Sequence, residues 1–138
     1  MNRAELQELI KRKGFIPSEE VDQRNLARYL DMLGLRWAHI PNGGHRNKIV
    51  AAKLKGQGVK PGVPDNFIFD APPLYPCAPG AVIELKRVKG GTTSPEQKDW
   101  LNYLAGRGWI VKVCKGFDEA VEFIKSLGYG GNNGLRAD

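Results

Sequence analysis

One run of residues, Ala81-Val82-Ile83-Glu84-Leu85-Lys86-Arg87-Val88, constrains this chain more than any other. Its aliphatic and β-branched residues read as a strand. The segment before it, 71–80, carries Pro72, Pro73, Pro76 and Pro79 and must be loop. Side chains alternate along a strand, so Glu84 and Lys86 share one face and Leu85 takes the other. An acid and a base among apolar neighbours are expensive to bury, which points to a site at the edge or end of a sheet.

The rest of the chain supplies partners for that strand. Residues 4–13 have helical spacing, with Leu6, Leu9 and Ile10 as the apolar stripe. A second helix begins after Ser18, a natural N-cap, and runs to Leu33, with Val21, Leu26, Tyr29, Leu30 and Leu33 recurring on one side. Residues 35–40 read as a strand closed by a Pro-Asn-Gly-Gly turn, and 46–55 as a helix. Strands are expected at 66–70, 81–88 and 109–113, and helices at 94–104 and 116–127. The order α-α-β-α-β-β-α-β-α predicts a mixed α/β domain around one sheet. At 138 residues the chain has room for one domain, with its core at about 18–127 and a flexible Gly-rich tail at 128–138. Trp37, Trp100 and Trp109 fall in regular elements and read as core.

Composition narrows the class. Apolar residues make up 41% and charged residues 26%, which is ordinary globular usage. No apolar run is long enough to span a bilayer, and the first residues lack the pattern of a secretory signal. Cys77 and Cys114 are too few and too far apart for a disulfide framework or a Cys-rich zinc site. A cytoplasmic protein with no membrane partner and no organic cofactor is expected. The net charge of +6 is concentrated: between Asp31 and Asp65 there is no acidic residue, while Arg36, Arg46, Lys48, Lys53, Lys55 and Lys60 all lie there. A local field of one sign points to a polyanion, with a nucleic-acid backbone the first candidate and a solvated basic face the alternative.

If the strands containing Asn66 and Glu84 pair, Asp65 and Glu84 converge. Two carboxylates suit a hard divalent ion such as Mg²⁺, and the backbone carbonyl of Leu85 can add a ligand. Lys86 then reaches a bound phosphate or the attacking water. The set fits phosphodiester hydrolysis, against the alternative of a surface Glu–Lys pair. Asn42, Gly43, Gly44, His45 and Arg46 form a hydrogen-bond-rich loop leading into a basic helix, and backbone amides there suit phosphate. Lys48, Lys53, Lys60 and Arg87 are candidates for tracking a DNA backbone. His39 lacks metal-binding company and reads as packed or edge-exposed. Leu74 and Tyr75, in the Pro-rich loop, are candidates for a dimer contact or a junction wedge.

Pro64-Asp65, 18 residues, then Glu84-Leu85-Lys86 resembles the PD-(D/E)xK nuclease signature. Further stretches extend the match in order: Pro41-Asn42-Gly43-Gly44 with Arg46, then Gly58 to Asp65, then Ile83 to Lys86, then Ser94-Pro95-Glu96-Gln97. Together they resemble the VRR-NUC family, over about residues 18–127. The resemblance implies a restriction-endonuclease-like core and a Mg²⁺- or Mn²⁺-dependent nuclease leaving a 5′-phosphate and a 3′-hydroxyl. It also implies an acidic residue on an early helix. Helical spacing selects Glu19, on the face of Gln23, Leu26 and Leu30, over Glu20, on the face of Arg24 and Asp31. Gln97 matches a glutamine of the family that contacts water or phosphate. It also fits a capping box with Ser94, and capping alone would explain it.

The resulting expectation is a structure-specific DNA endonuclease, resembling phage-type four-way (Holliday) junction resolvases, in a bacterial or phage-infected cell. Asp65, Glu84, the Leu85 carbonyl and Glu19 would hold the metal, and Lys86, Gln97 and Glu19 would serve catalysis. A small domain has one active site and a junction needs two symmetric nicks, so a homodimer is expected on branched DNA. The alternatives are a monomeric flap or nicking nuclease and a non-catalytic nucleic-acid-binding module. A sequence-specific restriction enzyme would need a recognition subdomain that little of this chain is left to build.

Overall fold

Three polar side chains fix where helices begin. The structure, a computed structural model, describes residues 2–13, 16–41 and 47–131. Helix α1 (Arg3–Lys13) is followed by α2 (Glu19–Met32), whose N-cap Ser18 accepts from the Val21 amide. After β1 (Trp37–His39), Asn47 caps α3 (Lys48–Gly56) through the Val50 amide. β2 (Asn66–Ile68) and β3 (Ala81–Lys86) lead to α4 (Pro95–Gly106). There Ser94 and Gln97 complete a capping box behind Pro95. β4 (Ile110–Lys115) and α5 (Gly116–Ser126) finish the set. The element order is the predicted one, with β1, β2 and β3 ending short of the expected spans.

The four strands form one sheet in the order β1-β2-β3-β4. β1/β2 and β2/β3 are antiparallel; β3/β4 is parallel, and α4 makes the crossover that a parallel pair needs. The strand alternation sorts β3 as expected. Ile83 and Leu85 face one layer with Leu26 and Leu30 of α2 and Ala120 and Ile124 of α5. Val82 faces the other with Leu101 and Leu104 of α4. Glu84 and Lys86 therefore emerge on the α4 face. β3 is a central strand, so the charged positions lie at its end rather than at a sheet edge.

Three expectations are corrected. Val21 is exposed, and its neighbour Asp22 is the one that turns inward. The Asp22 carboxylate accepts the Phe117 amide, while burial pushes its pKa up. It caps α5, whose own N-cap, Lys115, makes no side-chain bond. Trp100 is only half-buried, edge-on to the exposed Tyr103, because α4 turns that side to solvent. Trp37 and Trp109 do pack against the two cores. The beginning of the expected loose tail is anchored: Tyr129 is 2% exposed, joins the α2–α5 core, and donates its hydroxyl to the Asp70 carbonyl at 2.5 Å. Residues 132–138 of that segment lie outside the described residues. Finally, the Pro-rich loop joins the C-terminal end of β2 to the N-terminal end of β3, opposite the end that carries Asp65 and Glu84. The loop thus lies at the other end of the β2/β3 pair from those carboxylates.

No helix among the described residues is long and apolar enough to cross a membrane. Tyr129→Phe is expected to lower the free energy of unfolding by about 1 kcal/mol through the lost hydrogen bond. Tyr129→Ala should lower it by about 3–5 kcal/mol through the cavity it leaves. Urea titrations followed by circular dichroism measure both; near-zero effects would show that residues 127–130 do not anchor to the core.

Candidate active site

The site arises where the β2/β3 ladder stops. The last register pair is Asn66 with Ile83, so one step further Asp65 stands opposite Glu84. Directly opposed residues of an antiparallel pair project from the same face with Cβ atoms about 5 Å apart. The next step would bring Pro64 opposite Leu85. Proline has no amide hydrogen, so the Leu85 carbonyl receives no ladder bond from Pro64. The Leu85 amide is satisfied instead by the Asp65 side chain, at 3.0 Å from Oδ1. An extended residue sends its N–H and C=O to the same side, so the Leu85 carbonyl leaves the strand on the side of Asp65.

The pair is electrostatically costly. Glu84 is 4% exposed. Burial first, then the facing Asp65, pushes its carboxyl up to about 8, against the attraction of Lys86. Burial also raises Asp65 to about 6, opposed by the Leu85 amide and His39. The field of Glu19 raises both. Lys86 Nζ lies 3.6 Å from Glu84 Oε2 and donates to Gln97 Oε1 at 2.9 Å. Gln97 Oε1 also accepts the Ser94 amide at 2.8 Å, and Gln97 Nε2 approaches Glu84 Oε2 at 3.4 Å. Gln97 thus closes the capping box, as predicted, and also holds Lys86 beside Glu84, a contact that the sequence did not announce.

These groups line one cavity of about 700 Å³ at the end of the sheet, walled by Glu19, Gln23, His39, Asp65, Glu84 and Lys86 among others. Glu19, the first residue of α2, lines it, and so does Glu20, which pairs with Arg24 at 3.0 Å. Among the described residues no three His, Cys, Asp or Glu side chains cluster closely enough to form a metal site by themselves. The direct donor set is therefore Asp65, Glu84 and the Leu85 carbonyl, with Glu19 at a distance from it. Mg²⁺ needs only one or two carboxylates, so this set fits a hard divalent ion.

The remaining predicted residues sit apart. Lys48 and Lys53 are exposed on α3, which buries none of its residues, and Ile49 on that helix is 81% exposed. Lys60 lines a shallow depression with Pro61, Pro95 and Trp100. Arg87 is exposed just past β3. Asn42, Gly43, Gly44, His45 and Arg46 lie outside the described residues.

Sequence reasoning missed three residues of the site. His39 places Nδ1 at 2.8 Å from the Asp65 carbonyl oxygen. Gln23 and the fully buried Asn66 exchange two hydrogen bonds behind Asp65. His39 and Asn66 are register partners, a fact that only the β1/β2 pairing reveals. A buried asparagine directly after the aspartate was the one available signal.

Residues 17–118 match the VRR-NUC domain family. A solved structure described as "VRR_NUC domain protein" superposes with a TM-score of 0.67 at 27% identity, over 83% of this chain and 91% of that one. No curated protein matches the chain. With the family match spanning most of the sequence and the same fold in a solved relative, the chain belongs to the VRR-NUC family, a nuclease family with a restriction-endonuclease-like α/β core.

Proposed function

We propose that this protein is a divalent-metal-dependent, structure-specific DNA endonuclease, acting on four-way junctions as a homodimer in the cytoplasm. The observation that carries the nuclease reading is the opposition of Asp65 and Glu84 at the end of the β2/β3 ladder, with Lys86 held between Glu84 and Gln97. A Mg²⁺ or Mn²⁺ ion held by Asp65, Glu84 and the Leu85 carbonyl supplies Lewis acidity and lowers the pKa of a water nucleophile. Gln97 keeps the Lys86 ammonium at the cavity wall, where it meets negative charge growing on phosphorus-bound oxygens. Glu19 offers a carboxylate across the cavity to orient water. The acid-free span between Asp31 and Asp65, with exposed Lys48 and Lys53, supports a phosphate-tracking surface beside the site. Dimerisation rests on the need for two nicks from a chain with one such cavity.

Incubation with Mg²⁺ or Mn²⁺ and labelled four-way junction, flap and linear duplex tests this directly. Paired symmetric nicks near the branch point are expected. Asp65→Asn and Lys86→Ala should each slow cleavage by about 10²–10⁴-fold while binding persists. Preferred flap cutting by a monomer would remove the resolvase reading and keep the nuclease. Binding without cutting in either metal would leave a nucleic-acid-binding module.

The electrostatics give a second expectation. From the ordinary carboxylate range up to about pH 6 for Asp65 and about pH 8 for Glu84, the folded chain holds protons that the unfolded chain has released. Stability of the metal-free protein therefore falls as pH rises through that window. Thermal melts should show Glu84→Gln raising the midpoint of the metal-free protein at pH 8 by a few degrees, with little effect at pH 4. Mg²⁺ should stabilise the wild type most at the alkaline end, because binding requires both carboxylates ionised. A flat pH profile for the wild type would contradict this account.

A further inference from the structure

Asn66 is the least expected side chain in β2. It is fully buried, and asparagine is a poor strand former whose amide is costly to bury without partners. Leucine would satisfy both the strand and the burial. Yet every polar atom of Asn66 is used. Nδ2 donates to Gln23 Oε1 at 2.9 Å and to Asp65 Oδ1 at 3.2 Å, and Oδ1 accepts from Gln23 Nε2 at 2.8 Å. The orientation of the amide is fixed by this set, because the reverse would face oxygen to oxygen at both neighbours.

The consequence falls on Asp65. Its Oδ1 receives two donors, the Leu85 amide and Asn66 Nδ2, which set the plane of the carboxylate and turn Oδ2 away from them. Gln23, one turn beyond Glu19 on α2, holds Asn66 from behind and ties α2 to β2. A change at Gln23 or Asn66 is thus transmitted to both acidic walls of the cavity. We infer that Asn66, braced by Gln23, is a positioning residue that pre-orients Asp65 for a divalent ion. This inference rests on the metal-dependent reading above. Residues that hold a ligating side chain in place typically change metal affinity 10–100-fold when removed.

Mn²⁺ binding to the intact protein, followed by electron paramagnetic resonance of the free ion without DNA, tests it. Thermal melts run alongside report folding. Asn66→Leu is expected to weaken Mn²⁺ binding at least tenfold at a temperature where the variant remains folded. Asn66→Thr, which keeps a strand-forming residue but cannot reach both partners, serves if the leucine variant does not fold and should weaken binding at least fivefold. In an Asp65→Asn background either change should cause no further loss, since Asn66 acts through Asp65. A purely structural Asn66 would lower the melting temperature and leave Mn²⁺ affinity as in wild type, overturning the inference. Equal losses with and without Asp65 would overturn it too. If the wild type binds no Mn²⁺ at all, the metal-dependent reading falls and takes this inference with it. Wild-type binding with unaltered Asn66 variants removes only the inference.

Discussion

The structure depends on a hydrogen-bond ladder that ends early. β2 and β3 pair through Asn66 and Ile83, and Pro64 cannot continue the pairing because it has no amide hydrogen to give. The Leu85 carbonyl thereby receives no bond from Pro64, and the Leu85 amide turns to a side chain. Asp65 answers the amide with its carboxylate, which orients the side chain that faces Glu84. The proline, the aspartate and the Leu85 carbonyl together end the ladder and gather oxygen atoms at one point. The central position of β3 makes it rigid, since β2 and β4 hold it on both sides and α4 closes the face from which Glu84 and Lys86 emerge.

Rigidity has an electrostatic cost. Two acids face each other in a cavity, with a third at Glu19, and one lysine nearby does not neutralise them. Left alone, the pair gains protons rather than charge, as the raised values of Asp65 and Glu84 show. The fold tolerates this because the surrounding bonds are complete. Gln97 accepts from the α4 cap and from Lys86 with one oxygen, and the Gln23–Asn66 pair leaves no amide atom unused. The site is thus destabilised in charge but well ordered in geometry, as the proposed metal-dependent reading requires.

The element order and the Asp65–Glu84–Lys86 line were legible because each rests on local signals. Ser18 and Ser94 announce caps, the prolines of 71–80 announce a loop, and alternation alone places Glu84 and Lys86 on one face. Helical spacing favours Glu19 over Glu20, whereas the structure sets both on the cavity wall, with Glu20 paired to Arg24. What was hidden is tertiary. Nothing local marks Asp22 as a cap for a helix almost a hundred residues later, and helical spacing alone favoured Val21. Tyr129 sits in a glycine-rich stretch that reads as tail, and only the Asp70 carbonyl and the α2–α5 core explain its burial. His39 and Asn66 join the site through strand register, which no single segment encodes.

Charge is partitioned along the chain in a way that follows from the site's chemistry. An acidic cavity repels a phosphodiester until a cation is bound, so affinity for a polyanion has to come from elsewhere on the surface. α3 is suited to that task. It is inserted between β1 and β2, and the flanking residues Pro41 and Val63 line the cavity, so the insertion leaves and rejoins the body at the site. It buries nothing, so its sequence is free of packing constraints, and it carries lysines without a single acid. The lysines of that helix would serve the proposed DNA contact. They also stand apart from the strand positions that carry the carboxylates. Lys86 is the exception, and it is held by Gln97, so its single charge stays at a fixed point of the wall.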